Sequence, residues 1–301
     1  MQTEGALSPN IEDEDVAVMR ETIDIPDMKG VTTGIACDRF SDGGWLTTSV
    51  PVPSETEITI YVNRREFVSI LCTPSKLNCL VLGFLYTEGI ISGLGDVTMM
   101  RVCDEESEVD VRLSKPEFQL PTKRRLTSGC GGGSTFTMQG QRVDSHLVTA
   151  PADALSLMRQ LRERMELYPV SGGVHTSALA NTGKLLVVAE DIGRHNTLDK
   201  IQGECLLKGI STKDGVLLTT GRVSSEMLLK AAKMEAPVVV SRHSPTSGAV
   251  TLARDLGIAL VGYARGSSLT VYSHPERLGR STGELPPSPP GPGRERRKKI
   301  S

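Results

Sequence analysis

Residues Leu185–Met234 read "LLVVAEDIGRHNTLDKIQGECLLKGISTKDGVLLTTGRVSSEMLLKAAKM". Two runs, "LLVVA" and "GVLLTT", are nearly continuous in apolar residues, as strands covered on both faces are. Each is followed by a segment of helical character. The pattern continues with "PVVVS", "SGAVTLARDL", "IALVGYA" and "LTVYS". Upstream, "PADALSLMRQLRERMELY" places Leu155, Met158, Leu161 and Met165 on one helical face. Strand and helix taking turns predicts a largely parallel sheet with right-handed crossovers, and so a three-layer α/β/α domain over residues 151–279.

The preceding part has another character. Residues 36–125 read as a smaller α+β domain. "EITIYVNRREFVSIL" alternates on both sides of Asn63-Arg64, a hairpin signal, and "VTMMRVC" and "VDVRL" are two short strands. "TPSKLNCLVLGFLYTEGI" predicts a helix with Thr73 as N-cap and Pro74 at its first position, running to about Tyr86 and stopping near Gly89. Residues 126–150 form a Gly-rich loop and linker.

Both ends are expected to be disordered. Residues 1–35 form an acidic arm, with Glu4, Glu12, Asp13, Glu14 and Asp15 and no cation in the first fifteen positions. Residues 280–301 carry six Lys/Arg against two acids around "ELPPSPPGPG". The net charge of −2 predicts no general attraction to nucleic acid or to an anionic membrane. No run approaches the ~18 apolar residues of a membrane span, and no apolar stretch follows basic residues as in a signal peptide. Six cysteines in 301 residues do not make a disulfide scaffold, and they suit a reduced, cytoplasmic protein.

Polar residues gather where the strands of the second domain end. Glu190–Asn196, Gly221–Ser225, Arg242–Gly248 and Arg265–Ser268 follow four strand-like runs. Each stretch brings Gly, Arg and, in the last three, Ser. Taken singly, each is accounted for by a helix cap or a surface ion pair. Four sharing one chemistry point to a cationic rim for a phosphorylated or nucleotide-like ligand beyond the strand ends. The fingerprints G-x-G-x-x-G after a strand and G-x-x-x-x-G-K-[ST] are absent, which argues against a Rossmann dehydrogenase or a P-loop enzyme. "SGGVHTSALA" places His175 at the start of an expected helix, like the H-x-E of zinc deaminases. However, Ser177 stands where their Glu would be, and no P-C-x-x-C occurs, so no zinc is expected.

One cysteine stands apart. "LTSGCGGGSTF" sets Cys130 among Gly129, Gly131, Gly132 and Gly133, with almost nothing to pack against. Such a thiol is placed to be reached, in a backbone free to take more than one pose.

The runs "SGCGGGS", "SGGVHTSALA", "VAEDIGRHNTLDKIQG", "LLTTGRVSSEMLLKAAKM" and "VVVSRHSPTSGAVTLARDLGIALVGYARGSSLTVYSHPERL" together resemble the FdhD family over roughly residues 36–279. The resemblance implies an accessory sulfurtransferase of formate dehydrogenases. Such a protein takes persulfide sulfur from a cysteine desulfurase and passes it to the molybdenum bis(guanine dinucleotide) cofactor. It further implies a cytidine-deaminase-like C-terminal domain without zinc, and a homodimer. The persulfide-bearing residue corresponds to Cys130, and the cofactor segment to Tyr263, Ala264, Arg265, Gly266, Ser267 and Ser268. Arg222 is added from the rim chemistry. Many members carry C-x-x-C in the loop, where Gly133 stands here. Either Cys130 acts alone or a thiol elsewhere substitutes. Two other readings compete: a cofactor chaperone without sulfur chemistry, and a nucleoside deaminase, disfavoured by the missing motifs.

Overall fold

The computed structural model describes residues 30–103, 107–115, 124–126, 134–136 and 141–281. Strands β1 (Thr32–Ser41) and β2 (Gly44–Pro53) form an antiparallel hairpin in unbroken register. Asp42 and Gly43 turn it with φ of 51° and 80°, the left-handed pair that a two-residue hairpin loop needs. It pairs with no other strand among the described residues. β1 begins at Thr32, ahead of the boundary expected at residue 36.

Strands β3 (Thr56–Val62) and β4 (Arg65–Cys72) are the hairpin expected around Asn63-Arg64. With β5 (Val97–Cys103) and β6 (Glu108–Leu113) they form a sheet in the order β4-β3-β6-β5. Helix α1 (Leu77–Thr87) covers it, so that Leu80 and Leu85 pack with Ile58, Ile60, Phe67 and Val109. The helix starts later than the sequence suggests. Lys76, at φ 51°, takes the cap position. Thr73 is instead tied to the other half of the molecule: its amide donates to Asp191 (3.1 Å) and its hydroxyl accepts from the Ile192 amide (3.1 Å). Strands β7 (Arg124–Leu126) and β8 (Ser134–Phe136) pair antiparallel. Cys130, between them, lies outside the described residues, as do most of both tails.

The second half opens with helices α2 (Pro151–Glu163) and α3 (Tyr168–Ser171). Next come β9 (His175–Ala180), β10 (Leu185–Asp191), α4 (Arg194–Lys208), β11 (Val216–Thr219) and α5 (Ser225–Lys233). β12 (Val238–Ser241), α6 (Ser247–Leu256), β13 (Ala259–Arg265) and β14 (Ser268–Ser273) complete it. The six strands lie in the order β10-β9-β11-β12-β13-β14. This corrects the expectation of a largely parallel sheet. Only β11–β12 and β12–β13 are parallel, while β9–β10, β9–β11 and β13–β14 are antiparallel. The short "NTGK" and "GS" links make hairpins, where a parallel neighbour would need a crossover.

His175 is a second correction: it opens strand β9, not a helix. Its run "HTSALA" is a central strand buried on both faces, and its small residues leave no period to read.

Helices cover both faces of the sheet. On one, Leu198, Ile201, Met227, Leu228 and Ala253 pack on Leu179, Val187, Leu217, Val239 and Leu260. On the other, Ala154, Leu157 and Leu161 of α2 meet Ala178, Val216, Val240 and Val261. Each fully buried Leu or Ile here contributes about 1.5–3 kcal/mol of transfer free energy. Close packing of α1 against α4 joins the halves. A Cβ on Gly83 would fall onto the Asp199 carbonyl, and one on Gly203 onto that of Cys79.

Candidate functional site

The carboxyl ends of β11, β12 and β13 open on one side of the sheet, and each delivers an arginine. Arg222 lies just beyond β11, Arg242 just beyond β12, and Arg265 ends β13. All three are exposed. The Arg265 guanidinium is aimed by two contacts: Nε donates to the Arg242 carbonyl (2.9 Å) and Nη2 lies 3.5 Å from His243 Nδ1.

Across a cleft, α2 adds Arg159 and Arg162, one helical turn apart on its polar side. Met158 and Ala264 line the same cleft, with Thr220, Arg242, Arg265 and Gly266 facing the helix. None of Arg159, Arg162, Arg222, Arg242 and Arg265 forms an ion pair among the described residues. Cations converging without carboxylates repel one another, and an anionic ligand relieves that repulsion. Arginine also forks onto phosphate oxygens in two-point geometry.

The turn beside the cleft is shaped by backbone. Gly266, at φ 56°, links Arg265 to Ser268, and a side chain there would meet open space. Conformation, not room, is what asks for glycine. Tyr263 takes φ 51° at a bulge in β13, a strained state for a bulky residue. Its exposed ring lies 5.7 Å from the Arg265 guanidinium, a cation–π contact. Ser268 donates to the Arg265 carbonyl (3.4 Å).

A second group of polar residues lies where α4 and α5 begin. Gly221 leaves little room there, since a Cβ on it would lie 3.1 Å from Arg194 Cβ and 3.3 Å from His175 Nδ1. Burial, with the charges of Arg194, His243 and Arg222, holds His175 below the usual histidine range. His243 is lowered too, by burial and by Arg265, Arg242 and Arg222. For both rings burial is the larger cause, and the arginine charges act in the same direction. His195 Nε2 lies 3.2 Å from both the Ser224 hydroxyl and the Glu226 carboxylate. Burial, then Arg194 and Lys230, push His195 down to about 3, so this contact is a hydrogen bond from a neutral ring. Among the described residues, no group of three or more His, Cys, Asp or Glu side chains is arranged to hold a metal ion.

The structure thus brings Tyr263, Ala264, Arg265, Gly266, Ser267 and Ser268 together at one turn, with Arg222 two strand ends away. Ala264 is buried and offers shape, not chemistry. Arg159 and Arg162 escaped the sequence reading. Their signal was the i, i+3 spacing in "RQLR", which looks like any solvated helix face until the fold sets it opposite the strand ends. Among the described thiols, Cys72, Cys79 and Cys205 are buried, and burial pushes them up to about 12, 11 and 12. They are poor nucleophiles at neutral pH. Cys37 and Cys103 are half-buried.

The sequence pattern of the FdhD/NarQ family matches residues 53–279, most of the chain. The chain belongs to the FdhD/NarQ family. Relatives within FdhD/NarQ include the Sulfur carrier protein FdhD of Staphylococcus aureus strain MRSA252, 37% identical over 258 residues. The match covers 83% of this chain and 97% of that protein, with the same figures for strain JH9. A crystal structure of a candidate formate dehydrogenase accessory protein from Desulfotalea psychrophila superposes with a TM-score of 0.68 at 29% identity. It covers 82% of this chain and 99% of that one. The mixed α/β architecture matches that FdhD-like fold, and the strand ends and the α2 arginines lie within the family-matched residues 53–279. No helix among the described residues is long and apolar enough to cross a membrane.

Proposed function

We propose that this FdhD/NarQ chain is a cytoplasmic sulfurtransferase serving a formate dehydrogenase. Cys130 takes sulfur from a cysteine desulfurase: its thiolate attacks the outer sulfur of the donor's persulfide, the donor's S–S bond breaks, and the donor leaves as a thiolate. The outer sulfur of the Cys130 persulfide then passes to the molybdenum bis(guanine dinucleotide) cofactor, which is cargo bound from outside: the cargo supplies the electron pair for the new bond, the S–S bond breaks, and Cys130 leaves as a thiolate. The arginines at the strand ends, which form no ion pair among the described residues, carry the binding half of this reading. The names of the relatives carry the sulfur half.

Each residue has a task. Arg265, Arg242 and Arg222 hold the diphosphates, and Arg159 and Arg162 close the cleft from α2. Tyr263 offers a ring to a guanine, and the Gly266–Ser268 turn offers backbone and hydroxyl donors. Helices on both faces of the sheet and strands in the order β10-β9-β11-β12-β13 support a deaminase-like domain. Here Arg194 and His195 open α4, and Ser224 caps α5.

Gly133 supports a second reading, a chaperone that carries the finished cofactor without sulfur chemistry. Complementation separates the two. In a strain lacking its own sulfur carrier, the native chain restores formate dehydrogenase activity, whereas Cys130→Ala does not. Full restoration by Cys130→Ala would favour the chaperone.

A further inference from the structure

Glu190 opens the stretch Glu190–Asn196 at the end of β10, yet it does not line the arginine cleft. Its carboxylate is engaged by backbone instead. Oε2 accepts from the amides of Glu166 (2.9 Å) and Leu167 (2.7 Å), and Oε1 from the amide of Tyr168 (3.2 Å). These amides lie where α2 has ended and α3 begins, so helix carbonyls are not there to receive them. Oε1 also accepts from the Thr176 hydroxyl (2.9 Å), directly across the β9–β10 ladder. Thr176 is tied in turn to Thr220. Its amide donates to the Thr220 hydroxyl (3.0 Å), and its carbonyl accepts from the Thr220 amide (2.9 Å).

The two ends of this chain of bonds are the two walls of the cleft. Met165, immediately before Glu166, lines it from the α2 side, as does Arg162 about one turn further back. Thr220 lines it from the strand ends. Apolar contacts hold the α2 side in place: Leu157 and Leu161 pack on the sheet, and Leu167 packs with Val31 and Val174. Such contacts are non-directional, and they leave the spacing of the walls to the polar bonds. A carboxylate suits that position because it only accepts, with lone pairs for four donors.

We propose that Glu190 is a positioning residue, setting the cleft walls so that Arg159 and Arg162 reach an anion held by Arg242 and Arg265. It acts through the α2–α3 link and through Thr176, without touching the ligand. The inference rests on reading the cleft as the site of a guanine nucleotide's diphosphate.

Glu190→Gln keeps the shape but offers one acceptor oxygen, and it sets an NH2 group against the other donors. In calorimetric titration with guanosine diphosphate it is expected to weaken binding by about fivefold or more. In a chain already carrying Arg159→Ala and Arg162→Ala, the same substitution should change affinity by less than about twofold, since the groups it positions are gone. A general loss of fold would weaken both backgrounds alike. The native chain gives a second readout that needs no variant. Coupling is reciprocal, so saturating guanosine diphosphate should slow hydrogen exchange at the amides of Glu166, Leu167 and Tyr168, although none of the three lines the cleft. Equal affinity in Glu190→Gln and the native chain overturns the proposal. So does an equal loss in both backgrounds, and so does exchange at those amides indifferent to the nucleotide. A native chain that binds no guanosine diphosphate is a different failure: it removes the cleft reading, and this inference with it.

Discussion

Lys230 on α5 and Asp199 on α4 form a two-point ion pair, 2.7 and 2.9 Å, with both side chains shut away from water. Thr87 at the end of α1 donates to the same carboxylate (2.7 Å), and Glu88 lies 3.4 Å from the ammonium. The network therefore joins the two halves of the molecule. Lys230→Met leaves buried carboxylates without their cation and should cost about 3–5 kcal/mol. Chemical denaturation measures this, and Lys230→Met with Asp199→Leu should recover a large share. A single variant within about 1 kcal/mol of the native chain would contradict the role.

Gly203→Ala tests the helix crossing. The added methyl meets the Cys79 backbone, not the end of a flexible side chain, so the helices must separate. The expected loss is about 1–3 kcal/mol or more. Gly266→Ala is the control: its Cβ meets open space, and only the left-handed conformation is penalised. A melting temperature unchanged in Gly203→Ala would contradict the packing.

Acid sensitivity has a named source in His195. Its folded value is pushed to about 3 by burial and by Arg194 and Lys230, against about 6.5 unfolded. The unfolded chain therefore binds a proton that the folded one refuses. Stability from this group is complete above about pH 6.5 and falls as pH drops toward 3, by up to about 1.4 kcal/mol per unit. Melting temperature against pH should decline less steeply in His195→Gln. Equal slopes for the two proteins would contradict the assignment.

The legible parts of the fold were those where one face or both meet a core. The Asn63-Arg64 hairpin alternates because β3 buries alternate residues, and helices α2, α4, α5 and α6 stand out beside continuous apolar strands. The β1–β2 arm was not read, because an element exposed on both faces has no burial period. Its local signal was the Asp42-Gly43 turn. Thr73 looked like a helix cap, but its hydroxyl is engaged by Ile192, 119 residues away, which no local pattern encodes. The rim arginines were visible at strand ends, whereas Arg159 and Arg162 join them only through tertiary packing.

The arginine cleft predicts a graded response to guanosine diphosphate. Charge-assisted hydrogen bonds of about 1.5–3 kcal/mol each imply that Arg265→Ala or Arg242→Ala weakens binding roughly 10- to 100-fold. Arg159→Ala tests the far wall in the same titration. Calorimetry should also show affinity falling as salt rises. Equal affinity in the native chain and in Arg242→Ala with Arg265→Ala would move the ligand elsewhere.

Intact-mass spectrometry after incubation with a cysteine desulfurase and cysteine tests the central claim most directly. The account predicts a gain of about 32 Da, one sulfur, on the native chain and none on Cys130→Ala. Buried Cys72, Cys79 and Cys205 are not expected to carry it. The same gain on Cys130→Ala, or none on the native chain with an active desulfurase, would contradict Cys130 as the sulfur carrier.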